Sequence, residues 1–464
     1  MSGAHGPPIS RRLVLQMGVI GGPAALLAAC MQTSPSSSAL ASALATATAT
    51  PRPTASPSAT PSATPSATRP PTGRFLYRDA ALANGRAASL QRGVSVLVED
   101  GLISWIRPRD GEEDPGDAEV IDATGAAIVP GLVDAHCHVT GPGGARWLDR
   151  FTDAPERLLE YAEENGRLAW NAGVRWLRDL GSPVVTDPTD GRHRALAIGV
   201  RDRWRGRAGF PAIRAAGSWM TRPGALPAGV GVEAGNGDEL LALAIGQLDD
   251  GADLVKLYFD SRDPGRSPWS LNEVRRVTDA VHARGAKVAA HVGRLAAVRV
   301  AVAGGVDSVE HGNQLDADVA REMAANGTVL VTTLTVLRSF ISFGHTTRIS
   351  SFAGSGRAAS YAAELEAVEA SVRIASDAGV TIAAGTDAGG GSARANQLAW
   401  EVQSLVTAGL EPVDALAAAT WRAGELLGEP DAGVIREGGP ADFFLVHGDP
   451  LSDPGALWRV WRHA

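Results

Sequence analysis

The sequence predicts an α/β protein: a (β/α)8 barrel of the TIM type with a small β-sandwich domain formed from both ends of the mature chain. Eight short apolar runs alternate with amphipathic helical patterns between residues 128 and 386, which is typical of a parallel barrel. Strand-and-turn patterns flank that region on both sides. An open doubly wound sheet is the alternative, but no Gly-x-Gly-x-x-Gly sequence follows an early strand to favour it.

The first 30 residues resemble a bacterial export signal. Paired arginines in Ser10-Arg-Arg-Leu-Val-Leu15 precede an apolar run that is too short and too broken by glycine and proline for a comfortable membrane span. The run ends in Leu27-Ala-Ala-Cys30, which resembles a lipobox and implies cleavage before Cys30 and acylation of its thiol. An ordinary secretory signal with an incidental cysteine is the alternative. We therefore expect an exported lipoprotein, anchored through Cys30 to the outer face of the cell membrane.

Residues 31–73 form a segment composed almost wholly of Ser, Thr, Ala and Pro. The segment has no aromatic residue, so it cannot bury enough apolar surface to offset the entropy of ordering, and we predict a disordered linker. The folded part then divides into a small β-domain, built from 74–127 and 430–464, and a metal-binding barrel over 128–429.

The composition limits the function classes. The 464 residues carry a net charge of −8, and no basic cluster follows the leader, so nucleic acid is not an expected partner. Two cysteines exclude a disulfide framework. Only Lys256 and Lys287 among the 43 basic residues are lysines, so a retained lysine is a candidate for chemistry that arginine cannot perform. The oligomeric state stays open, and a homo-oligomer is compatible with the sequence.

The individual elements follow from local patterns. Val94, Val96 and Val98 alternate with Ser95 and Leu97, which is typical of a strand. A Glu-Asp-Gly turn and a second apolar run follow, so we predict a hairpin in the small domain. A strand-like run near the C-terminus adds to the same domain. The predicted barrel strands are 128–138, 174–180, 212–219, 253–259, 287–292, 306–311, 328–334 and 380–386, and the helical patterns include 155–171, 237–250, 271–284, 294–303, 316–326 and 357–378.

Polar residues interrupt these strands at their C-terminal ends, where barrel enzymes place their chemistry. His136 and His138 are two residues apart, so on a strand both imidazoles project to one face and converge as zinc ligands would. Any one buried histidine is more often a satisfied core residue than a ligand, but several at the same ends of the strands indicate a metal site. The other polar residues at strand ends are Lys256, His291, His311 and Asp387.

These residues resemble the amidohydrolase superfamily of metal hydrolases, from Arg74 to the C-terminus. The segments from Arg175 to Gly181, from His311 to Asp316 and from Thr332 to Thr335 look most like imidazolonepropionase-like and Xaa-Pro dipeptidase-like members. The motifs that carry the resemblance are Pro130-Gly-Leu-Val-Asp-Ala-His-Cys-His138, Lys256, His291, Glu310-His-Gly312 and Gly385-Thr-Asp387.

The resemblance implies two divalent metal ions, expected to be zinc. His136, His138 and Asp387 would hold the first ion, and His291 and His311 the second. Lys256 would bridge both as a carbamate formed with CO2, which requires an amine that can lose its proton.

Catalytic roles are implied for two residues. Asp387 would pass a proton from the attacking hydroxide to the leaving nitrogen. Tyr258 shares the face of Lys256 and is a candidate donor to the substrate carboxylate or the oxyanion, with simple packing as the alternative. Alternation along the strands predicts that Cys137 and Glu310 face away from the metals. Arg178 and Asp179 are either a buried ion pair or substrate contacts.

The predicted function is a metal-dependent amidohydrolase that cleaves C–N bonds of a small-molecule or dipeptide substrate, of the Xaa-Pro dipeptidase type. A mononuclear deaminase or an imidazolonepropionase-like ring hydrolase is the alternative among enzymes, and Lys256 argues against it. A non-catalytic surface binding lipoprotein is the alternative of another class, and the complete ligand set argues against that. The sequence from Trp219 to Ala225 departs from the Gly-Gly-His that many relatives have there, so the substrate contacts of that loop stay open.

Overall fold

The computed structural model of the protein describes residues 73–261, 263, 265–354 and 356–464. The predicted export signal, the lipid anchor at Cys30 and the linker up to residue 72 lie outside the described residues and stay predictions. Within the described ranges, no helix combines the length and the apolar character needed to cross a bilayer.

Eight parallel strands form a nearly closed barrel, so the predicted fold class is confirmed. Each strand pairs with the next along the chain, and the first and last strands meet at their C-terminal ends. There Asp387 N donates to His136 O at 2.7 Å, and His138 N donates to Ala388 O at 2.7 Å. The eight strands are Leu132–Cys137, Val174–Asp179, Ala212–Thr221, Leu254–Tyr258, Lys287–Val292, Ser308–His311, Val329–Thr332 and Ile382–Ala384.

Amphipathic helices fill the connections between barrel strands. Leu271–His282 is typical: Ser270 and Glu273 form a capping box at its start, and Val274, Val277 and Val281 bury one face. The helices are Trp147–Arg150, Pro155–Asn171, Leu196–Trp204, Gly237–Asp249, Leu271–His282, Leu295–Ala303, Ala317–Asn326, Leu334–Thr346, Arg357–Asp377, Leu398–Ala408, Pro412–Ala418 and Trp421–Leu427, with 3-10 turns at Arg109–Gly111 and Pro454–Trp458. Three short strands, Val184–Thr186, His193–Ala195 and Val232–Glu233, lie in the loops.

Both ends of the described chain build the small domain, as predicted. Its sheet contains seven strands, and residues 438–441 hydrogen-bond to residues 101–103 so that the sheet folds back around its own apolar core. Tyr77 and Phe443 meet in that core with ring centroids 5.0 Å apart. The strands are Arg74–Leu82, Gln91–Glu99, Leu102–Pro108, Glu119–Asp122, Ala126–Pro130, Phe443–His447 and Val460–His463.

The single strand predicted over 128–138 is wrong, because the structure divides it in two. Ala126–Pro130 pairs with Phe443–His447 in the small sheet, whereas Leu132–Cys137 is the first barrel strand. Gly131 lies between them, and a Cβ there would come within 2.4 Å of the Arg175 side chain. The chain therefore passes from one domain to the other at the one residue that leaves room for that arginine.

A helix also lies between the predicted strand 328–334 and the predicted helix 357–378, where the sequence analysis includes none. Leu334–Thr346 begins directly after the seventh barrel strand. The buried Glu401 carboxylate accepts hydrogen bonds from the backbone N–H groups of Leu334 at 3.0 Å and Thr335 at 2.8 Å. A carboxylate at that position satisfies donors that the first turn of a helix leaves free.

Candidate metal centre

The six predicted ligands come together at the C-terminal mouth of the barrel. His136, His138, Lys256 and Asp387 are buried, while His291 and His311 are half-buried. His311 and Asp387 have positive φ angles of 71° and 52°, a conformation that non-glycine residues rarely adopt. The strained backbone turns both side chains toward the barrel axis at the point where their strands end.

One half of the site consists of His136, His138 and Asp387. Asp387 Oδ1 lies 3.5 Å from His136 Nε2 and 3.2 Å from His138 Nε2, and the three candidate ligand atoms are all within 4.8 Å of one another. The opposite ring nitrogen of His138, Nδ1, is 2.8 Å from the Gly181 carbonyl oxygen, to which it donates. His138 Nε2 therefore faces the Asp387 carboxylate, and it is the ring nitrogen that a cation at this site would meet.

The other half consists of His291 and His311, whose inner nitrogens face each other. His291 Nδ1 lies 3.0 Å from His311 Nε2. On the outer side, His291 Nε2 is 3.1 Å from Asp260 Oδ2, and His311 Nδ1 is 2.7 Å from Thr333 Oγ1. Burial lowers the pKa of His311 well below its usual value, which keeps that imidazole neutral. Neutral imidazoles with oriented outer nitrogens are the form that binds divalent metals.

Lys256 lies between the two halves and is fully buried. Its charge perturbs the pKa values of His136, His311 and Asp387, so the amine is close to both groups of ligands. Burial lowers the pKa of Lys256 to about 8 despite the nearby carboxylates. Within the part of the chain that the structure describes, Lys256 Nζ has no hydrogen-bond partner. An unpartnered buried amine is costly, so Lys256 is a candidate for a chemical role at this site.

The expectation that Glu310 faces away from the site is wrong. Its carboxylate points into the barrel, where Oε1 accepts from Arg178 Nη2 at 2.8 Å and from Ser308 Oγ at 2.5 Å. Oε2 is 2.9 Å from His136 Nδ1, although the two atoms are not aligned for a regular hydrogen bond. The strand ends at His311 with its positive φ, so the alternation of an extended strand does not continue through these two residues. Arg178 is thus in a buried ion pair with Glu310.

Tyr258 and Cys137 have clear positions. The Tyr258 ring stacks on His291 with centroids 4.2 Å apart and planes 15° apart. Burial raises the pKa of the Tyr258 phenol well above its usual value, so the hydroxyl keeps its proton and is a donor. Cys137 Sγ lies 3.6 Å from the Arg178 carbonyl oxygen and contacts the neighbouring strand.

The sequence reading missed the outer partners of the histidines. Asp260 lies two residues after Tyr258, so the same spacing argument that singled out Tyr258 also applied to it. Thr333 lay within a quoted motif but had no assigned role. A hydrogen bond from His138 to the backbone carbonyl of Gly181 leaves no signal in side-chain patterns.

The arrangement is typical of a hydrolase that activates water with metal ions, and comparisons with known proteins agree. The model of the amidohydrolase family matches residues 127–460. The chain belongs to the amidohydrolase family. It is therefore a hydrolase that acts on carbon–nitrogen bonds, the family is metal-dependent, and the buried cluster of His136, His138 and Asp387 could hold a metal ion.

Relatives cover most of this amidohydrolase. An uncharacterised protein of Mycobacterium tuberculosis is 32% identical over 391 residues, which are 82% of this chain and 95% of the relative. The ochratoxinase of Aspergillus niger is 27% identical, over 80% of this chain and 82% of the relative. Among solved structures, a Xaa-Pro dipeptidase with bound methionine in its active site has a TM-score of 0.72 and 24% identity, and covers 83% of this chain and 97% of its own. That last similarity shows the fold.

Proposed function

We propose that this amidohydrolase is a binuclear metal-dependent dipeptidase that hydrolyses the amide bond of dipeptides with a C-terminal proline. The observation that carries the proposal is that four histidines and Asp387 lie at the same barrel mouth as the buried amine of Lys256, which has no hydrogen-bond partner among the described residues. A mononuclear deaminase needs no such amine. The likeness to a Xaa-Pro dipeptidase structure supports the choice of substrate.

His136, His138 and Asp387 would hold one metal ion, His291 and His311 a second, and Lys256 would bridge them as a carbamate. Divalent ions bound there supply a hydroxide nucleophile near neutral pH and polarise the scissile carbonyl. The protein's own part is to hold each ring nitrogen in place. Hydrogen bonds from the outer nitrogens to the Gly181 carbonyl, Asp260 and Thr333 do this.

Asp387 is the proposed proton carrier. Burial raises its pKa, but the hydrogen bond with His138 and the positive charge of Lys256 outweigh burial and leave that pKa below its usual value. The carboxylate is therefore ionised and able to accept a proton at neutral pH. Asp387 can then give this proton to the leaving nitrogen. The nitrogen of an amide must be protonated before it departs.

Tyr258 is the proposed donor to the substrate. Its hydroxyl keeps its proton at all physiological pH values because burial raises the pKa. Stacking on His291 holds the ring beside one half of the site. We infer that the phenol donates a hydrogen bond to the oxyanion that forms on the scissile carbonyl or to the substrate carboxylate.

The test is the hydrolysis of a panel of Xaa-Pro dipeptides by the full chain loaded with zinc. Replacement Asp387→Asn should lower kcat by about 10²- to 10⁴-fold, the range for loss of a general acid–base. Asp249→Asn, at an exposed carboxylate paired with Arg284, is the matched control and should leave the rate unchanged. Failure to cleave any dipeptide while a cyclic imide or an aminated base is converted would overturn the dipeptidase proposal.

A further inference from the structure

We propose that Trp219, together with Phe151 and Trp147, forms an aromatic recess beside His138 that receives the aromatic side chain of the residue Xaa in the substrate. The inference rests on the proposed function and adds the substrate preference: Phe-Pro and similar dipeptides over those with a small Xaa. Trp219, Phe151 and Trp147 together are the aromatic recess.

The aromatic recess begins at a metal ligand and continues outward. The Trp219 ring lies over the His138 ring with centroids 4.8 Å apart and planes at 36°. Phe151 meets Trp219 edge-on at 5.3 Å, and Trp147 meets Phe151 edge-on at 6.0 Å. Trp219 and Phe151 are buried, while Trp147 is half-buried at the outer end. The chain of rings therefore joins the catalytic histidine to the solvent-facing side of the mouth.

Tyr258 completes the connection with the other half of the site. It packs in the same apolar cluster as Trp219 and Phe151, and it stacks on His291. Trp219 and Tyr258 thus each cover a histidine, one on each half of the centre. A substrate whose scissile carbonyl lies between the two halves has the indole of Trp219 directly beside it.

Gly181 contacts both the Trp219 indole and the candidate metal ligand His138. Its φ of +139° is in the range that favours glycine, and a Cβ there would lie 2.8 Å from the Trp219 ring. The Gly181 carbonyl also accepts the hydrogen bond from His138 Nδ1. The indole therefore packs directly on the residue whose carbonyl orients His138, and a side chain at position 181 would displace it.

The aromatic recess belongs to an apolar cluster of side chains. Ala225 and Leu226 pack on it from the loop after the third barrel strand, and Val230 is buried there. Arg222, the cation at the start of that loop, is directed elsewhere, because it binds Glu273 at 2.9 Å and covers the Trp269 ring at 4.1 Å. An aromatic side chain can pack against these apolar groups.

The opposite side of the mouth is polar. Arg294 follows His291 by three residues, and its Nε is buried without a partner in the described chain. Glu364 also has an unpartnered buried oxygen, and burial raises its pKa while the charge of Arg294 lowers it. An apolar side chain placed there would leave these groups desolvated and unpaired, whereas the aromatic recess accepts it at no such cost. The two sides therefore fix the direction in which an Xaa side chain lies.

The test compares kcat/KM for Phe-Pro and Ala-Pro with the zinc-loaded full chain. The parent should prefer Phe-Pro by about 10- to 100-fold, the range that apolar pockets achieve. Trp219→Leu should bring the ratio close to one, and Trp219→Phe should restore most of it because a flat ring returns. Trp461→Leu, at an exposed tryptophan of the small domain, is the matched control and should keep the parental ratio. Metal content of each variant separates loss of the recess from loss of the centre.

A ratio that Trp219→Leu leaves unchanged, with metal content intact, would overturn the inference while the proposed function stands. A parent that cleaves no dipeptide would overturn the proposed function instead. Calorimetric binding of free L-phenylalanine and L-alanine then still tests the aromatic recess without catalysis. The parent should bind phenylalanine more tightly by about tenfold or more, and Trp219→Leu should not; equal affinities in the parent would overturn the recess.

Discussion

Two buried arginines on the second barrel strand, Arg175 and Arg178, bind partners in different parts of the molecule. Both are 2% exposed. Because they are three positions apart on an extended strand, their side chains leave opposite faces of the sheet. Arg178 points into the barrel and binds partners on barrel strands: the Ala135 carbonyl at 2.6 Å, Ser308 at 3.0 Å and Glu310 at 2.8 Å.

Arg175 points outward and binds residues of the small domain. Its Nε lies 3.1 Å from Asp442 Oδ1, its Nη2 lies 2.9 Å from His463 Nδ1, and its guanidinium covers the Trp170 ring at 3.8 Å. Burial lowers the pKa of Arg175 to about 10 and raises that of Asp442 to about 6, so desolvation outweighs the pairing on both sides. Arg178 thus pairs with Glu310 beside His136, whereas Arg175 ties the C-terminal strand to the barrel. The two arginines have the same residue type and the same burial. The comparison teaches that the role of a buried arginine depends on the face of the strand from which its side chain projects.

The largest expected effect is that of Arg178→Met. The substitution leaves the Glu310 carboxylate buried at the barrel axis without its cation, which should destabilise the fold by about 3–5 kcal/mol. Glu310 also lies 2.9 Å from His136, so we expect the metal content to fall as well. Urea unfolding and metal analysis on the same preparation check both results. Full metal content in a destabilised variant would show that Glu310 does not position His136.

Arg175→Met should have a smaller effect, and on stability alone. Asp442 has a pKa of about 6, so it can take up a proton when its partner is lost, and we expect a cost of about 1–3 kcal/mol. The metal content should stay at the parental value because no partner of Arg175 contacts a ligand. If Arg175→Met and Arg178→Met lose metal to the same extent, the proposed division between the two arginines is wrong.

The smallest expected effect is on the pH dependence of stability. Asp442 has a folded pKa of about 6 against an ordinary 3.8, so its contribution to stability falls as pH rises from about 4 to 6. Burial lowers the pKa of His463 to about 4 against an ordinary 6.5, so its contribution rises with pH over about 4 to 6.5. The two slopes oppose each other in the parent, and each is at most about 1.4 kcal/mol per pH unit.

Removing either group should therefore tilt the profile in a defined direction. Measured against the parent, the stability of Asp442→Asn should increase as the pH rises from 4 to 6. The stability of His463→Phe should decrease relative to the parent over the same rise in pH. Urea midpoints at half-unit pH intervals measure the tilt. Tilts of the same sign in both variants would contradict the burial of this cluster.

Much of this molecule could be predicted from the sequence, because its strongest patterns are local. Apolar runs that end in a polar residue located all eight barrel strands, and the two-residue spacing of His136 and His138 placed them on one face. The break at Gly131 could not be predicted, since the reason for it is the Arg175 side chain on another strand. The inward direction of the Glu310 side chain was also not predicted, because the residue types do not indicate the positive φ at the neighbouring His311.

The missed helix at Leu334–Thr346 has a similar explanation. Its first turn is satisfied by Glu401, which is about 66 residues further along the chain, while the N-cap residue Thr333 makes no capping hydrogen bond with its side chain. The Arg175 cluster joins residues 288 positions apart. Contacts of that range are set by the closed barrel and the returning C-terminus, and a single sequence holds no record of which distant residues meet.

The most direct test of the central claim is the metal content of the full chain beside its two lysine-to-arginine variants. Within the described ranges, Lys256 is buried and has no hydrogen-bond partner, whereas Lys287 donates to the Leu426 carbonyl oxygen at 2.6 Å and is the matched control. Arginine keeps the charge but cannot form a carbamate. We predict about two metal ions per chain in the parent and in Lys287→Arg, and one or none in Lys256→Arg. Equal metal content in all three proteins would contradict a centre bridged by Lys256.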